Sequence, residues 1–327
     1  MHVELVVPAL LAARAGAPAL ELLLARGRRE RLPPATLEDW LAAAFGLAGP
    51  LPAGALTAHA LGEQAAEGRW LRADPVHLRA DRDVVLLLPG ACFEIAREEA
   101  DALCAELNRL YAGELSLHAF TAEAWCLRAD SAIAADARPA LDVAGREGGA
   151  RLPDKRLRAL LAEMQMALYQ HAVNTAREAR GAPVVNSVWL WGAGALPAAA
   201  TVPWHSLSAA DPAALGLAKL AGVRHRAPGE GASEWLERAP EDGRHLVLLD
   251  LLRAAAALGD GEALARGLAT LEARWFASLL SALRAGRVGM ITVHVPDAGL
   301  RAETVRGDLR RFWRRRQPLA RYGITPA

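Results

Sequence analysis

Polar residues that could do chemistry are most concentrated between positions 171 and 194 of the sequence. His171, Asn174 and Arg177 follow one another at intervals of three residues, so a helix would place them near one face. Arg177, with Asn174 and the later Asn186, could hold a phosphate or carboxylate, because a guanidinium binds such anions through paired hydrogen bonds. The same residue types also form the polar end of a helix packed against a sheet, and both interpretations stay open.

An apolar strand is predicted over residues 184–191, directly after this helix. It carries Asn186 and Ser187 and ends at Trp191, and Gly192 and Gly194 follow it. Ligands of open α/β sheets bind beyond the carboxyl ends of the strands, which makes these five residues candidates for ligand binding. The two glycines lack the third glycine of a dinucleotide-binding turn, and the alternative is that Trp191 packs in the core.

Two further groups of residues could bind a ligand. Asp74 and His77 lie three residues apart around a proline and could form a hydrogen bond or bind a metal, although a lone Asp/His pair is more often structural. His294 and Asp297 lie at the end of a strand predicted over residues 288–295, where active sites of α/β sheets are found. The alternative for Asp297 is an N-cap of the following helix.

The segment 306–316 is rich in arginine and contains Phe312 and Trp313. Such a segment can contact nucleic acid, but it more often forms a solvated helix face with its aromatic rings packed inward. The net charge of the whole chain is only +1, which excludes binding of nucleic acid through overall charge. Nucleic acid is therefore not an expected partner, and a small anionic metabolite is; the sequence names no protein partner.

The composition sets the class of protein in which these residues act. The chain of 327 residues is 53% hydrophobic and 23% charged, which excludes a disordered chain and predicts one large or two ordinary domains. Three cysteines without a Cys-x-x-Cys pair favour a reduced, cytoplasmic protein. No apolar run reaches the about 18 residues that a membrane span needs, so we expect no membrane association.

Strands and helices alternate along most of the chain, which predicts an α/β fold with a largely parallel sheet. The predicted strands cover residues 3–7, 184–191, 245–251 and 288–295, and the predicted helices cover residues 19–26, 157–180, 212–221, 262–285 and 302–316. Between them, strands at 71–78, 84–88, 116–120 and 125–127 with a helix at 97–111 predict a small α/β module. We therefore predict a core in two parts, 1–69 and 151–327, interrupted by an inserted domain at 70–150.

The segments 171–194 and 72–78 resemble the RpfE-type regulatory proteins of proteobacteria. That group is in turn similar to the archaeal-type cofactor-independent phosphoglycerate mutases of the alkaline phosphatase superfamily, and residues 17–27, 70–128, 186–194 and 293–299 share this likeness. The resemblance implies an alkaline phosphatase-like α/β core with helices on both faces of its sheet and a small inserted α/β domain. It also implies a ligand-binding cleft between the two.

The catalytic residues of the mutases do not carry over to this chain. Those enzymes hold two divalent metals around a Ser or Thr nucleophile, and an Asp closes their first strand. Here the first strand runs into Pro8, the first aspartate of the chain is Asp39, and the first hydroxyl residue is Thr36. Where the family has a His four residues after its late Asp, this chain has Arg301, and no Asp-His dipeptide occurs.

These departures predict a protein that binds no metal or cofactor. The resemblance then implies a non-catalytic regulatory or ligand-binding protein with a cleft for a small anion, such as a phosphorylated molecule. The alternative is a metal-dependent phosphotransfer enzyme, a mutase or phosphatase, with a rearranged metal site. That enzyme would have to recruit Asp74, His77, His294 and Asp297.

Overall fold

The computed structural model describes residues 1–63, 68–81, 84–129, 138–144, 155–240 and 242–323. The chain divides into two compact units. The core unit consists of Met1–Ala48 and Ala199–Ala327, and the second unit is Gly49–Ala198. These boundaries differ from those predicted at 69/70 and 150/151, because residues 49–61 and 187–194 pack with the elements of the predicted insertion.

The strands of the described residues alternate with helices over most of the chain. The strands are β1 (His2–Val6), β2 (Arg28–Arg31), β3 (Arg69–Asp81), β4 (Val84–Pro89), β5 (Leu115–Ala119), β6 (Trp125–Ala129), β7 (Ser187–Gly194), β8 (Ser206–Ser208), β9 (Arg224–Arg226), β10 (Arg244–Leu248), β11 (Met290–Val295) and β12 (Leu300–Val305). The α-helices are α1 (Pro18–Arg26), α2 (Leu37–Ala44), α3 (Ala53–Leu61), α4 (Arg97–Leu110), α5 (Ala140–Val143), α6 (Lys155–Tyr169), α7 (Ala172–Ala179), α8 (Pro212–Leu220), α9 (Ala232–Arg238), α10 (Arg253–Ala257), α11 (Gly261–Leu271) and α12 (Ala277–Ala285). A π-helical turn, Glu272–Phe276, joins α11 to α12.

The core unit is built on a seven-stranded sheet in the order β2-β12-β11-β1-β10-β8-β9. Strands β11, β1, β10, β8 and β9 are parallel, and β12 and β2 extend one edge in antiparallel pairing. Val3 and Leu5 of β1, and Val7 directly after it, enter a buried apolar cluster with residues of α1, α9, α11 and α12. Strands in such a sheet are continuous apolar runs because helices cover them, and the prediction of a mixed α/β fold with a largely parallel sheet is confirmed.

The second unit is built on an antiparallel sheet around the long strand β3. Strands β6 and β4 pair with successive parts of one edge of β3, β5 pairs with β6, and β7 pairs with the other edge of β3. Residues of α4 and α6 cover this sheet in a second apolar cluster that includes Leu103, Leu107, Trp125 and Met164. The strand predicted at 184–191 as part of the core therefore belongs to the sheet of the second unit.

Two predicted helices differ from the structure. The helix predicted over 157–180 is two helices, α6 and α7, because His171 adopts an extended backbone and its ring nitrogen accepts the N–H of Val173 as an N-cap. The helix predicted over 302–316 is the strand β12, whose alternating burial matches a strand period of two, followed by a short 3-10 turn, Arg306–Arg310. In the described part of the chain, no helix combines the length and apolar character of a membrane span.

Candidate functional site

Asp74 forms a buried ion pair in the second unit. Positions 72 and 74 share one face of β3, and β7 places Trp191 opposite Arg72. The guanidinium of Arg72 donates to Oδ1 of Asp74 from Nε at 3.0 Å, and the indole N–H of Trp191 donates to Oδ2 at 2.6 Å. Burial raises the pKa of Asp74, and the charge of Arg72 opposes that rise. Both carboxylate oxygens are thus occupied by protein donors.

The predicted pairing of Asp74 with His77 is not formed. Residues three apart on a strand point to opposite faces, and the ring Nδ1 of His77 lies 3.0 Å from the carbonyl oxygen of Val184. The two side chains therefore cannot share a metal ion in this strand.

Asn174 links α7 to the chain on either side of it. Its amide nitrogen donates to the carbonyl oxygens of Leu168 and Val185 at 2.7 and 2.8 Å, and its amide oxygen accepts the N–H of Val185 at 2.9 Å. Because Asn174 is buried, these bonds satisfy a side chain that would otherwise destabilise the fold.

Arg177 is fully buried one turn further along α7. Its Nε donates to the carbonyl oxygen of Pro183 at 2.6 Å, its Nη2 donates to that of Glu94 at 2.8 Å, and its Nη1 pairs with the carboxylate of Glu99. The guanidinium also lies 5.4 Å from the ring centroid of Phe93. These contacts account for the burial of Arg177, so an anion bound by Arg177 stays a prediction that the geometry does not support.

The remaining candidates in this stretch hold β7 in place. The amide of Asn186 accepts from the N–H of Leu78 at 2.7 Å and donates to its carbonyl oxygen at 2.8 Å, which extends the pairing with β3. Ser187 is buried opposite Val76 on β3. His171, as the N-cap of α7, lies beside a helix end rather than on the helix face predicted for it.

Gly192 and Gly194 allow α3 to approach β7. Gly192 has a φ of +60°, and a Cβ added there would lie 2.7 Å from Cβ of Ala53. A Cβ added at Gly194 would lie 2.7 Å from Cβ of Pro52. Both glycines are therefore required by packing, which is a sufficient reason for their presence in this strand.

Three parallel strands of the core unit are followed within three residues by an aspartate. Asp211 follows β8, Asp250 follows β10 and Asp297 follows β11. Because these strands are parallel, their carboxyl ends form one edge of the sheet, which is where open α/β sheets bind ligands. The sequence analysis found Asp297 and missed Asp211 and Asp250, although the same position after a strand would have indicated them.

The end of β1 departs from this pattern. The chain turns there through Pro8 and Ala9, and Ala9 is the non-glycine residue with a positive φ, 61°, among the described residues. Its N–H donates to Oδ1 of Asp297 at 2.8 Å. This left-handed turn costs about 1 kcal/mol for a residue with a Cβ, and the bond to Asp297 offsets that cost. Asp297 is exposed and holds a turn between strands rather than capping a helix.

His294 interacts with a buried glutamate in the same sheet. Its Nε2 lies 3.1 Å from Oε2 of Glu4, and Nη2 of Arg244 lies 2.6 Å from Oε1. Burial alone would raise the pKa of Glu4, but the hydrogen bonds with His294 and Arg244 outweigh it and hold the pKa at about 2. The centroid of the imidazole ring also lies 5.2 Å from that of Trp40, with the two ring planes tilted by 59°. Glu4 is a third residue that the sequence analysis missed.

Asp250 is the carboxylate at this edge with the least compensation. Partial burial raises its pKa, the nearby carboxylate of Asp211 raises it further, and the guanidinium of Arg253 lowers it. Arg253 donates from Nη2 to the buried Glu38 at 2.9 Å, so its charge is shared. Within the described ranges, no three or more His, Cys, Asp or Glu side chains are grouped so that they could hold a metal ion.

The chain was compared with known proteins. No protein-family model matches it, and no curated protein does. Among solved structures it is similar to the PH0037 protein from Pyrococcus horikoshii, with 14% identity over 93% of this chain and 87% of that chain and a TM-score of 0.57. At that identity the similarity shows a shared fold over most of the chain. It also matches a cofactor-independent phosphoglycerate mutase from Thermoplasma acidophilum at 18% identity over 94% of this chain and 90% of that chain, with a TM-score of 0.41. A superposition at that level supports no conclusion about fold or function.

Proposed function

We propose that this chain is a non-catalytic, phosphoglycerate mutase-like protein of the alkaline phosphatase type that regulates by binding a small anion, such as a phosphorylated metabolite. The observation that supports this proposal most strongly is the end of β1. The resemblance implies an Asp there and a Ser or Thr nucleophile beyond it. This chain has Pro8 and Ala9 at that position, and the backbone N–H of Ala9 donates a hydrogen bond to Oδ1 of Asp297.

We call the carboxyl ends of the parallel core strands, with Asp211, Asp250 and Asp297, the carboxyl edge. The donor atoms there do not fit the two divalent metals that the resemblance implies. Such ions need several anionic oxygen ligands around each of them. Asp297 is bound by a backbone donor, and Glu4 is paired with His294 and Arg244. Among the residues that the structure describes, no third His, Cys, Asp or Glu side chain joins Asp211 and Asp250 to form a metal site. This set supports binding without turnover.

An anion at this edge would meet the guanidinium of Arg253 as a hydrogen-bond donor. Arg253 carries a positive charge beside Asp250, and a guanidinium binds phosphate oxygens through charge-assisted hydrogen bonds. The proposal includes a cytoplasmic location, supported by the three free cysteines of the chain.

The test is a calorimetric titration of the full chain with 3-phosphoglycerate, together with a mutase assay in the presence of Mn²⁺. We expect saturable binding that Arg253→Met weakens about 10-fold or more, as for loss of a charged hydrogen bond, and no conversion to 2-phosphoglycerate. Arg266→Met, at an exposed position of α11, is the matched control and should bind normally. Absence of binding by the wild-type chain would refute the anion proposal.

One observation favours the alternative, a phosphotransfer enzyme with a rearranged metal site. The repulsion between Asp211 and Asp250 is what a bound divalent cation would relieve. Two of the four residues predicted for that site, Asp74 and His77, point to opposite faces of β3 and cannot share one ion. Mutase activity that Asp250→Asn abolishes would establish this alternative in place of the proposal.

A further inference from the structure

Positive charge is concentrated in two short segments of the core unit. Residues 26–31 contain four arginines and one glutamate, a net charge of +3, and residues 300–316 contain seven arginines and two acidic residues, a net charge of +5. The whole chain has a net charge of only +1, so the rest of the chain is net negative. The charge is therefore localised rather than a property of the composition.

The fold brings these two segments together. Strand β2, an edge strand, pairs antiparallel with β12, with Arg28 opposite Glu303. A surface recess of about 410 Å³ lies beside this pair and is lined by Gly27, Arg28, Arg29, Arg311 and Arg314. We call this surface the basic edge. Within the described residues, Arg311 is the one arginine of this lining that forms an ion pair, through its Nη2 and Oδ1 of Asp308 at 2.8 Å.

The fold also holds two of these guanidiniums in place. Arg311 donates from Nη1 to the carbonyl oxygen of Arg26, and Arg314 donates from Nη1 to that of Gly27, each at 3.0 Å. Both carbonyls lie at the C-terminal end of α1, where cations are favoured by the helix dipole. The two positive charges are thus ordered before any ligand arrives, which reduces the entropy that a ligand must overcome.

Two aromatic rings lie in the open beside these arginines. Phe312 is 77% exposed and Trp313 is 66% exposed, and their ring centroids are 5.3 Å apart in an edge-on arrangement. The sequence analysis favoured rings packed inward from a helix, and the structure contradicts this because residues 311–318 form no helix. Charged edge strands discourage aggregation, but that role does not account for two exposed aromatic rings.

We propose that the basic edge binds single-stranded nucleic acid. The arginines of the recess would contact phosphates, and Trp313 and Phe312 would stack on bases, which is how proteins bind single strands without reading their sequence. A free phosphate or an acidic peptide would use the guanidiniums and leave the rings unused. This inference is independent of the proposed function, since it involves no residue of the carboxyl edge.

The test is fluorescence anisotropy of the full chain with a labelled oligothymidine about 20 nucleotides long. We expect binding that weakens steeply with added salt and quenching of tryptophan fluorescence. The double variant Arg28→Glu/Arg29→Glu should weaken binding about 100-fold, and Trp313→Ala about 10-fold. Arg224→Glu changes an exposed arginine at the opposite edge of the same sheet and should leave binding unchanged.

Three results would overturn the inference. The first is an absence of binding at low salt. The second is an equal effect of Arg224→Glu and of the double variant, which would indicate attraction by overall charge. The third is weakening by the arginine substitutions but not by Trp313→Ala, with polyglutamate competing as well as the oligonucleotide, which would indicate an acidic protein partner. All substituted side chains are exposed, and circular dichroism should confirm that each variant folds.

Discussion

The sequence offers polar residues in the second unit and at the carboxyl edge of the core sheet as candidate binding sites. The two groups differ in how fully protein partners satisfy them. In the second unit, Arg177 and Asn174 each meet several protein partners and are buried. At the carboxyl edge, Asp250 faces the like charge of Asp211. The difference teaches that residue type alone does not mark a site: a completed network stabilises the fold, whereas a carboxylate that is only partly compensated, as Asp250 is by Arg253, is a candidate for binding.

The largest effect should come from removing Arg177. Arg177→Met leaves the carboxylate of Glu99 and two carbonyl oxygens without their donor, and breaking such a buried pair costs about 3–5 kcal/mol. Arg180→Met is the matched control, since Arg180 pairs with the same carboxylate from an exposed position, and it should cost under about 1 kcal/mol. Urea denaturation measures both. Equal effects would show that the network does not depend on burial.

Glu4 should give the clearest pH dependence. Its pKa falls from an ordinary 4.5 to about 2 in the folded chain, so its contribution to stability is complete above about pH 5 and is lost as the pH falls towards 2. Glu4→Gln should remove about 3 kcal/mol at pH 7 and flatten the stability profile over that range. Thermal denaturation from pH 2 to 7 measures this. A profile identical to that of the wild type would contradict the ion pairs described for Glu4.

Substitution of Gly192 distinguishes the free-energy cost of steric overlap from that of backbone conformation in the second unit. Gly192→Ala forces a Cβ against Ala53, whereas Gly181→Ala, at a similar φ of +69°, meets no atom within 4 Å. Both substitutions bear the cost of a left-handed residue, about 1 kcal/mol. Gly192→Ala should cost about 1–3 kcal/mol more because of the overlap. If denaturation midpoints of the two variants agree, α3 does not pack on β7 as closely as described.

The smallest effect, and one of opposite sign, is expected at the carboxyl edge. Asp250→Asn removes the repulsion with Asp211 and should stabilise the chain by about 0.5–1 kcal/mol at pH 7. The gain should shrink below about pH 4, where the carboxyl is protonated in both states. Asp101→Asn, at an exposed position of α4, is the control and should not stabilise. Destabilisation by Asp250→Asn would show that Asp250 belongs to a completed network like that of the second unit.

The fold class could be predicted because it depends on sequence patterns that extend over only a few residues. The apolar runs of the parallel strands and the amphipathic period of α4 can be read within a window of a few residues, and the helix predicted at 97–111 is observed at Arg97–Leu110. The pairing of β7 with β3 was not predictable in this way, since more than a hundred residues separate Asn186 from Leu78. The role of Arg177 likewise depends on Glu99, which no local pattern connects to it.

Two predictions for the C-terminal segment, a helix over 302–316 and aromatic rings packed inward from it, are wrong for a different reason. The alternation Leu300, Ala302, Thr304 indicates a strand, and the structure buries these residues in β12. The arginine-rich sequence that follows is typical of a solvated helix face, so the predicted helix, 302–316, overlaps the end of this strand. Asp211 and Asp250 share with Asp297 the signal that would have indicated them, a position within three residues of the end of a parallel strand.

The most direct test of the account is the metal content of the purified full chain. The protein is loaded with Mn²⁺ or Zn²⁺, desalted and submitted to elemental analysis beside Asp297→Asn and Asp250→Asn variants. The account predicts that the wild-type chain retains no more metal than either variant. Retention of about two ions per chain, as a two-metal phosphotransfer site requires, and their loss in the variants would contradict it.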